Sequence, residues 1–173
     1  MALLAEQLVE EWLNRQGFFT IRGCKIGVQE IDLLAVRIAG KNPECRHIEV
    51  QASVRPVSYV TGVSKSLQKS SGRKSGSAKK RSDEELQECV QEWVKKKFLL
   101  PIKQAMRDSL AQALWSYELV VHQVKYPEEL CVIENHGVKI HRLSEIIKDL
   151  KTASKKHIVA GAGGTDFVDL LYL

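Results

Sequence analysis

The sequence predicts an α/β or α+β domain with a central mixed sheet flanked by helices. Three observations predict it: an N-terminal run at helical spacing, three strand signals in succession after it, and then helical runs alternating with further strand signals. At 173 residues, 44% hydrophobic and 27% charged, the chain has the size and composition of a single globular domain over residues 1–173.

Leu4, Ala5, Leu8, Val9, Trp12 and Leu13 recur at helical spacing and Gly17 supplies a stop. Counted at about 100° per residue, Glu6 falls at the border of that apolar arc. FFTIRGCKIG then reads as a first strand, Val28 to Ala39 as a second, and Gly40-Lys41-Asn42-Pro43 as a turn. Cys45 to Ser53 reads as a half-buried strand with His47, Glu49, Gln51 and Ser53 on one polar face.

Residues 54–81 form a basic segment whose Ser/Gly/Lys-rich stretch, Ser64 to Arg81, reads as a mobile loop. Ser82-Asp83-Glu84-Glu85 has capping-box spacing and opens a helix through Leu86, Cys89, Val90, Trp93 and Val94. Pro101 breaks it before a second periodic run through Ile102, Ala105, Met106, Ser109, Leu110 and Ala113. Tyr117 to Val124 reads as a strand, and Cys131–Ile133 with Val138–His141 as a short pair about the Asn135-His136-Gly137 turn. Helices are expected from about Ser144 to Lys151 and over Thr165 to Leu173. Gly161–Gly164, with no Lys-Ser/Thr after it, reads as a hinge and not a phosphate loop.

The four cysteines never form C-x-x-C pairs, which excludes the usual zinc and redox motifs and points to reduced thiols in a cytoplasmic protein. The N-terminus lacks a basic n-region and carries early acids, so neither a signal peptide nor a membrane span is expected. The formal charge is +5, and it is local: eight Lys or Arg and no acid lie between Ser53 and Ser82, and without them 18 basic residues face 21 acidic ones.

The chemistry points to Asp32, inside the apolar strand EIDLLAV, and to Glu49, in the middle of the next strand. Apolar strands rarely carry unpaired acids. Two carboxylates level on adjacent strands, about 4.8 Å apart, repel unless a cation lies between them. Mg²⁺, with Mn²⁺ as a substitute, suits such a pair, since it takes one or two carboxylates and leaves the rest to water and phosphate oxygens. A surface-facing sheet edge or structural ion pairs with Lys25 or Arg37 are the alternatives, and for Glu6 the alternative is a solvated helix position. Glu30 reads as a cap on the strand's exposed end and His47 as a hydrogen-bonding neighbour of Glu49.

Glu6, GVQEIDLLAV and HIEVQAS together resemble the PD-(D/E)xK nuclease superfamily, which includes restriction endonucleases and Holliday-junction resolvases. The resemblance covers roughly Leu4 to Ser53 and implies a restriction-endonuclease-like core of order αβββαβ with C-terminal additions. It also implies that Asp32 and Glu49 hold the metal, that Glu6 assists, and that Gln51 stands where the family has a water-activating lysine. An amide can orient a water but carries no positive charge. The implied activity is Mg²⁺-dependent DNA hydrolysis, by an endonuclease. A nuclease fold that has lost catalysis and binds nucleic acid is the alternative that Gln51 raises. Lys65, Lys69, Arg73, Lys74, Lys79, Lys80 and Arg81 are the expected DNA-binding residues, because a cationic arm after the metal strand would contact phosphates without regard to sequence. A homodimer is expected.

Overall fold

A Schellman turn ends the first helix, α1 (Ala2–Arg15). Phe18 N donates to Leu13 O and Gly17 N to Asn14 O, with Gly17 at φ 84°, where a side chain would be strained. Leu13 and Phe18 are both buried, so the turn also fixes how the chain enters the sheet. The structure, a computed structural model, describes residues 2–153 other than Lys41 and Val54. The helix expected over Thr165–Leu173 and the Gly161–Gly164 hinge lie outside the described residues.

Strands β1 (Phe19–Ile26), β2 (Gln29–Ala39) and β3 (Asn42–Gln51) form two successive antiparallel hairpins. Helices α2 (Lys65–Ser71), α3 (Asp83–Phe98) and α4 (Pro101–Leu110) follow. They lead into β4 (Trp115–Val121), which is parallel to β3. Helix α5 (Glu128–Asn135) crosses to β5 (Val138–Arg142), parallel to β4, and α6 (Leu143–Ala153) completes the described chain. The result is a mixed five-stranded sheet in the order β1-β2-β3-β4-β5, flanked by helices, an order consistent with a nuclease-like α+β fold.

Two apolar layers hold it. Leu33, Ala35, Ile48, Val50 and Val120 pack beneath α1 and α6, against Leu8, Val9, Leu13, Ile146 and Leu150. On the opposite face Leu119, Val121 and Val138 pack against Val90, Trp93 and Phe98 of α3 and Leu130 and Ile133 of α5. Each such side chain, fully buried, contributes about 1.5–3 kcal/mol of transfer free energy. The middle strand β3 is therefore covered on both faces: His47, Ile48, Glu49 and Val50 are all buried, not half-buried as the alternation suggested.

Three other expectations are corrected. The pair about Asn135-His136-Gly137 is a helix followed by a strand: Pro127 precedes α5, Leu130 and Ile133 bury one face, and Gly137 at φ 80° ends the helix instead of turning a hairpin. The Ser64–Arg81 stretch is built onto α3 instead of forming a structureless loop. Ser64 caps α2, Lys65 N donates to Glu92, Ser64 and Ser66 donate to Glu88, and Val63 N bonds Ser75 O at 2.8 Å. Along α4 the apolar run is not the buried face. Ile102 and Leu110 are 42% and 44% exposed, whereas Lys103 and Arg107, one turn apart, are each 2% exposed. The capping box of Ser82 and Glu85 and the helix start at Pro101 are as expected.

Candidate metal and catalytic site

Asp32 lies where the β2 ladder breaks on both sides. Toward β1, Arg22 pairs with Leu33 and Cys24 with Ile31, but the level of Gly23 and Asp32 is skipped, and Gly23 has φ 65°. Toward β3, Leu33 pairs with Ile48 and the ladder stops there. One more step in that register brings Asp32 level with Glu49. Side-chain alternation also shifts here, for Leu33 packs under α1 while Ile31 packs with Cys24 and Leu34 beside Met106 of α4. The strands part, and Asp32 Oδ2 accepts the freed Val50 N–H at 2.8 Å.

Glu49 is 2% exposed and accepts three hydrogen bonds. Lys97 Nζ lies 2.5 Å from Oε2, Lys103 Nζ 3.2 Å from Oε1, and His47 Nε2 3.2 Å from Oε1. An arginine can only donate, so the 2.9 Å contact of Arg107 with His47 Nδ1 makes Nδ1 the acceptor. The neutral imidazole therefore carries its proton on Nε2 and donates it to Glu49. Arg107 and Lys103 also donate to Phe98 O and Lys97 O, carbonyls that the end of α3 leaves without helical partners. The short turn at Pro101 folds α4 back so that its two cations serve the end of α3 and the sheet together.

The electrostatics follow from burial and these partners. Burial raises the Asp32 carboxyl to about 6, aided by the charge of Glu49 and opposed by the Val50 N–H. Burial works against Glu49 as well, but the His47 hydrogen bond and the charges of Lys97 and Lys103 outweigh it and bring the group down to about 2. Burial lowers the Lys103 ammonium and the His47 imidazole despite the attraction of Glu49. For Lys97 burial pulls down, but Glu49 and Asp32 prevail and the group is raised. Its side chain is 32% exposed against 2% for Lys103, so of the two lysines Lys97 is the one a ligand can reach.

Glu6 joins the edge of this field. Its carboxyl is raised by burial, lowered by Arg22, and raised again by Glu30, Glu49 and Glu10. Among the described residues no three His, Cys, Asp or Glu side chains converge closely enough to hold a metal, so Glu6, Asp32 and Glu49 do not form a ready three-carboxylate cluster. Neither acid takes the ion pairs considered from sequence. Arg37 bonds Glu44 at 2.5 Å, and no ion pair of Lys25 with either acid is found among the described residues. Gln51 does not point its amide at a water site: Nε2 donates to Val60 O at 3.1 Å and ties β3 to the segment that follows.

The predicted basic residues divide. Lys65, Lys69, Lys74, Lys79 and Lys80 are exposed, and none has an ion pair among the described residues. Arg73 pairs with Glu85 at 2.9 Å. Arg81 is a structural residue and not part of a DNA-facing surface: its side chain is 1% exposed, bonds Thr61, lies 3.6 Å from Glu129 and packs over the Tyr59 ring. Sequence reasoning missed Lys97, Lys103 and Arg107. The signal for the last two was a pair of cations four apart in one helix, Lys103 and Arg107.

No family model and no curated protein matches the chain. Comparison with solved structures finds a crystal structure of a protein of unknown function, AF1548, with 14% sequence identity and a TM-score of 0.45. The match covers 83% of this chain and 59% of that one, so the chain spans about three-fifths of its neighbour's length. No helix among the described residues is long and apolar enough to cross a membrane.

Proposed function

We propose that the protein is a divalent-metal-dependent nuclease of the PD-(D/E)xK kind that hydrolyses phosphodiester bonds in DNA. The observation that carries this reading is the opened ladder at Asp32 and Glu49, with a reachable ammonium, Lys97, held against Glu49. Two carboxylates on adjacent strands, one of them raised to about 6 by burial and by the charge of the other, fit a hard cation that leaves its other positions to water and phosphate. Asp32 Oδ1, and Glu49 Oε2 once Lys97 shifts from it, are the donors suited to it, since Glu49 Oε1 already accepts from both His47 and Lys103 and Asp32 Oδ2 from Val50 N. When bound, Mg²⁺ supplies Lewis-acid charge to the phosphate and acidifies the attacking water.

The chain's own residues supply the rest. His47, oriented by Arg107, and Lys103 fix the Glu49 carboxylate from its buried side. Lys97 presents its protons at the open side, where an ammonium can orient a water and meet charge developing on a phosphate oxygen. It does so from α3, in the role for which the resemblance pointed to position 51. Glu6 adds negative potential at the rim, and the exposed lysines of α2 and the following loop supply salt-sensitive backbone contacts.

Supercoiled plasmid incubated with Mg²⁺ is nicked by the wild type and left intact by Asp32→Ala, Glu49→Ala and Lys97→Ala. Absence of nicking by the wild type overturns the reading. A second reading, a catalytically inactive nuclease fold that binds nucleic acid, is favoured by the three donors that already satisfy Glu49. It requires salt-dependent DNA binding that is indifferent to metal and no heat of Mg²⁺ binding in calorimetry.

A further inference from the structure

Beyond Glu49, strand β3 runs into a second feature that the nuclease reading does not use. Gln51, two residues on and about 7 Å along the strand, forms one wall of a cleft of about 340 Å³ whose other wall is the Ser75-Gly76-Ser77 loop. The cleft is held in shape. Val63 N bonds Ser75 O at 2.8 Å, and a Cβ on Gly62 would meet Ser75 Oγ at 2.6 Å, so the two segments already touch. Gln51 is anchored to Val60 O on the same side.

The lining is mixed: Gln51, Ser58, Thr61, Ser75 and Ser77 bring amide and hydroxyl groups beside Val57 and Val60, and its one charged member is neutralised, for Arg81 faces Glu129 at 3.6 Å. Lys74 immediately precedes the loop, and Lys79 and Lys80 follow it by two and three residues, all exposed. An aromatic ring is present but cannot stack a base. Tyr59 is stacked on Tyr126 at 4.7 Å and has the Arg81 guanidinium 3.9 Å over its ring, so its faces are taken. Hydroxyl and amide groups set among aliphatic ones, exposed lysines next to the loop in the chain and no free aromatic face suit a sugar-phosphate unit, with its apolar ring carbons, and not a nucleobase. The volume is that of a small ligand pocket, room for one such unit.

We propose that the cleft between Gln51 and the Ser75–Ser77 loop is a subsite for the sugar-phosphate backbone of a nucleic-acid strand passing Asp32 and Glu49, so that the strand is held without regard to sequence. This rests on the nuclease reading for the direction of the strand but is read out by binding alone.

Gly76 permits a clean test, because a Cβ there meets nothing within 4 Å. The full-length protein is titrated in chelator with a fluorescein-labelled DNA oligonucleotide, single-stranded and duplex, and anisotropy is followed between about 50 and 200 mM salt. Gly76→Leu adds a branched apolar side chain to the lining of the cleft without altering charge. It is expected to weaken binding of the preferred form by about tenfold, with an unchanged salt slope and melting temperature. The combined change of Lys74, Lys79 and Lys80 to Gln instead flattens the slope, by about one per contacting lysine. Gly76→Leu binding within about twofold of wild type, or no binding by the wild type, overturns the proposal. If Gly76→Leu loses affinity while the wild type nicks no plasmid, the subsite stands and the nuclease reading falls. If the wild type nicks and Gly76→Leu binds normally, the subsite falls alone.

Discussion

The Lys97 ammonium and the Glu49 carboxylate, 48 positions apart in the chain, meet at 2.5 Å where β2 and β3 part beside Asp32. A helix end thus delivers the cation that the strand itself lacks at position 51. The buried donors His47 and Lys103 hold the other Glu49 oxygen, so the carboxylate keeps its place whether or not Lys97 is engaged elsewhere.

This division of labour sets the first prediction. Lys97→Ala lowers the Mg²⁺-dependent nicking rate by about 10²–10³, the usual cost of removing one donor from developing charge, and lowers the melting temperature as well, because the buried Glu49 carboxylate loses its nearest countercharge and keeps only His47 and Lys103. Gln51→Lys brings no gain, because the position is turned toward Val60 and the cation is already supplied. A plasmid assay on the two variants decides it. A large rise in activity with Gln51→Lys would show that Lys97 does not fill the role.

Asp32 predicts a trade of stability for function. Its carboxyl is raised to about 6, above its ordinary value, so the folded state binds the extra proton and stability falls as pH rises through the interval up to about 6. At pH 8 that loss is complete. Asp32→Asn, which can still accept from Val50 N, is therefore more stable than wild type at pH 8 in chelator, by about 1–3 kcal/mol after allowance for the partly open side, and is inactive. Urea unfolding at pH 8 checks it, and an unchanged or lowered midpoint counts against the site's electrostatics.

The front half of the fold was legible because its information is local. The apolar arc of α1, the stop at Gly17 and two hairpins each depend on residues within a few positions of one another, and so the placement of Asp32 and Glu49 on neighbouring strands could be read from strand order. The cationic half was not. Lys97 sits in a last turn with Lys95 and Lys96, where basic residues are ordinary complements to the helix dipole. Lys103 and Arg107 looked like the solvent face of α4 because the apolar residues beside them obey helical spacing. Only the sheet beneath explains the inversion: Glu49 and His47 need buried partners, and satisfying them outweighs covering Ile102 and Leu110. Likewise Leu130 and Ile133 suit a strand or a helix equally, and the start at Pro127 decides for the helix.

Arg81 separates structure from binding within the basic segment. Glu129 accepts from Val60 N, Thr61 N and Thr61 Oγ1 and is raised mainly by burial, with Arg81 as its nearby cation. Arg81→Met leaves that carboxyl buried with no countercharge and costs roughly 3 kcal/mol, the low end for a broken buried pair because three donors remain. Lys79→Met costs less than about 0.5 kcal/mol, as surface changes do. Denaturant titration of the two variants compares them directly, and equal stabilities would place Arg81 on the surface with its neighbours.

On β4, opposite Ile48 of β3, Glu118 joins Glu49 in shaping the acid limb of stability. It is 2% exposed on β4, with His141 Nε2 2.7 Å from one oxygen and Arg46 Nε 3.7 Å from the other. Burial raises its carboxyl, but the His141 hydrogen bond and the Arg46 charge prevail and hold it below the ordinary range. The unfolded chain therefore takes up a proton at higher pH than the folded one. The stabilisation is complete above the unfolded value, near 4.3, and is lost as pH falls from there through the folded value. Glu118→Gln keeps the shape and gives up the charge, so it is less stable than wild type by about 1–2 kcal/mol at pH 7, and the gap closes on acidification. Melting temperatures of the pair measured from pH 7 down to pH 3 test the sign, and a gap that widens with acid refutes it.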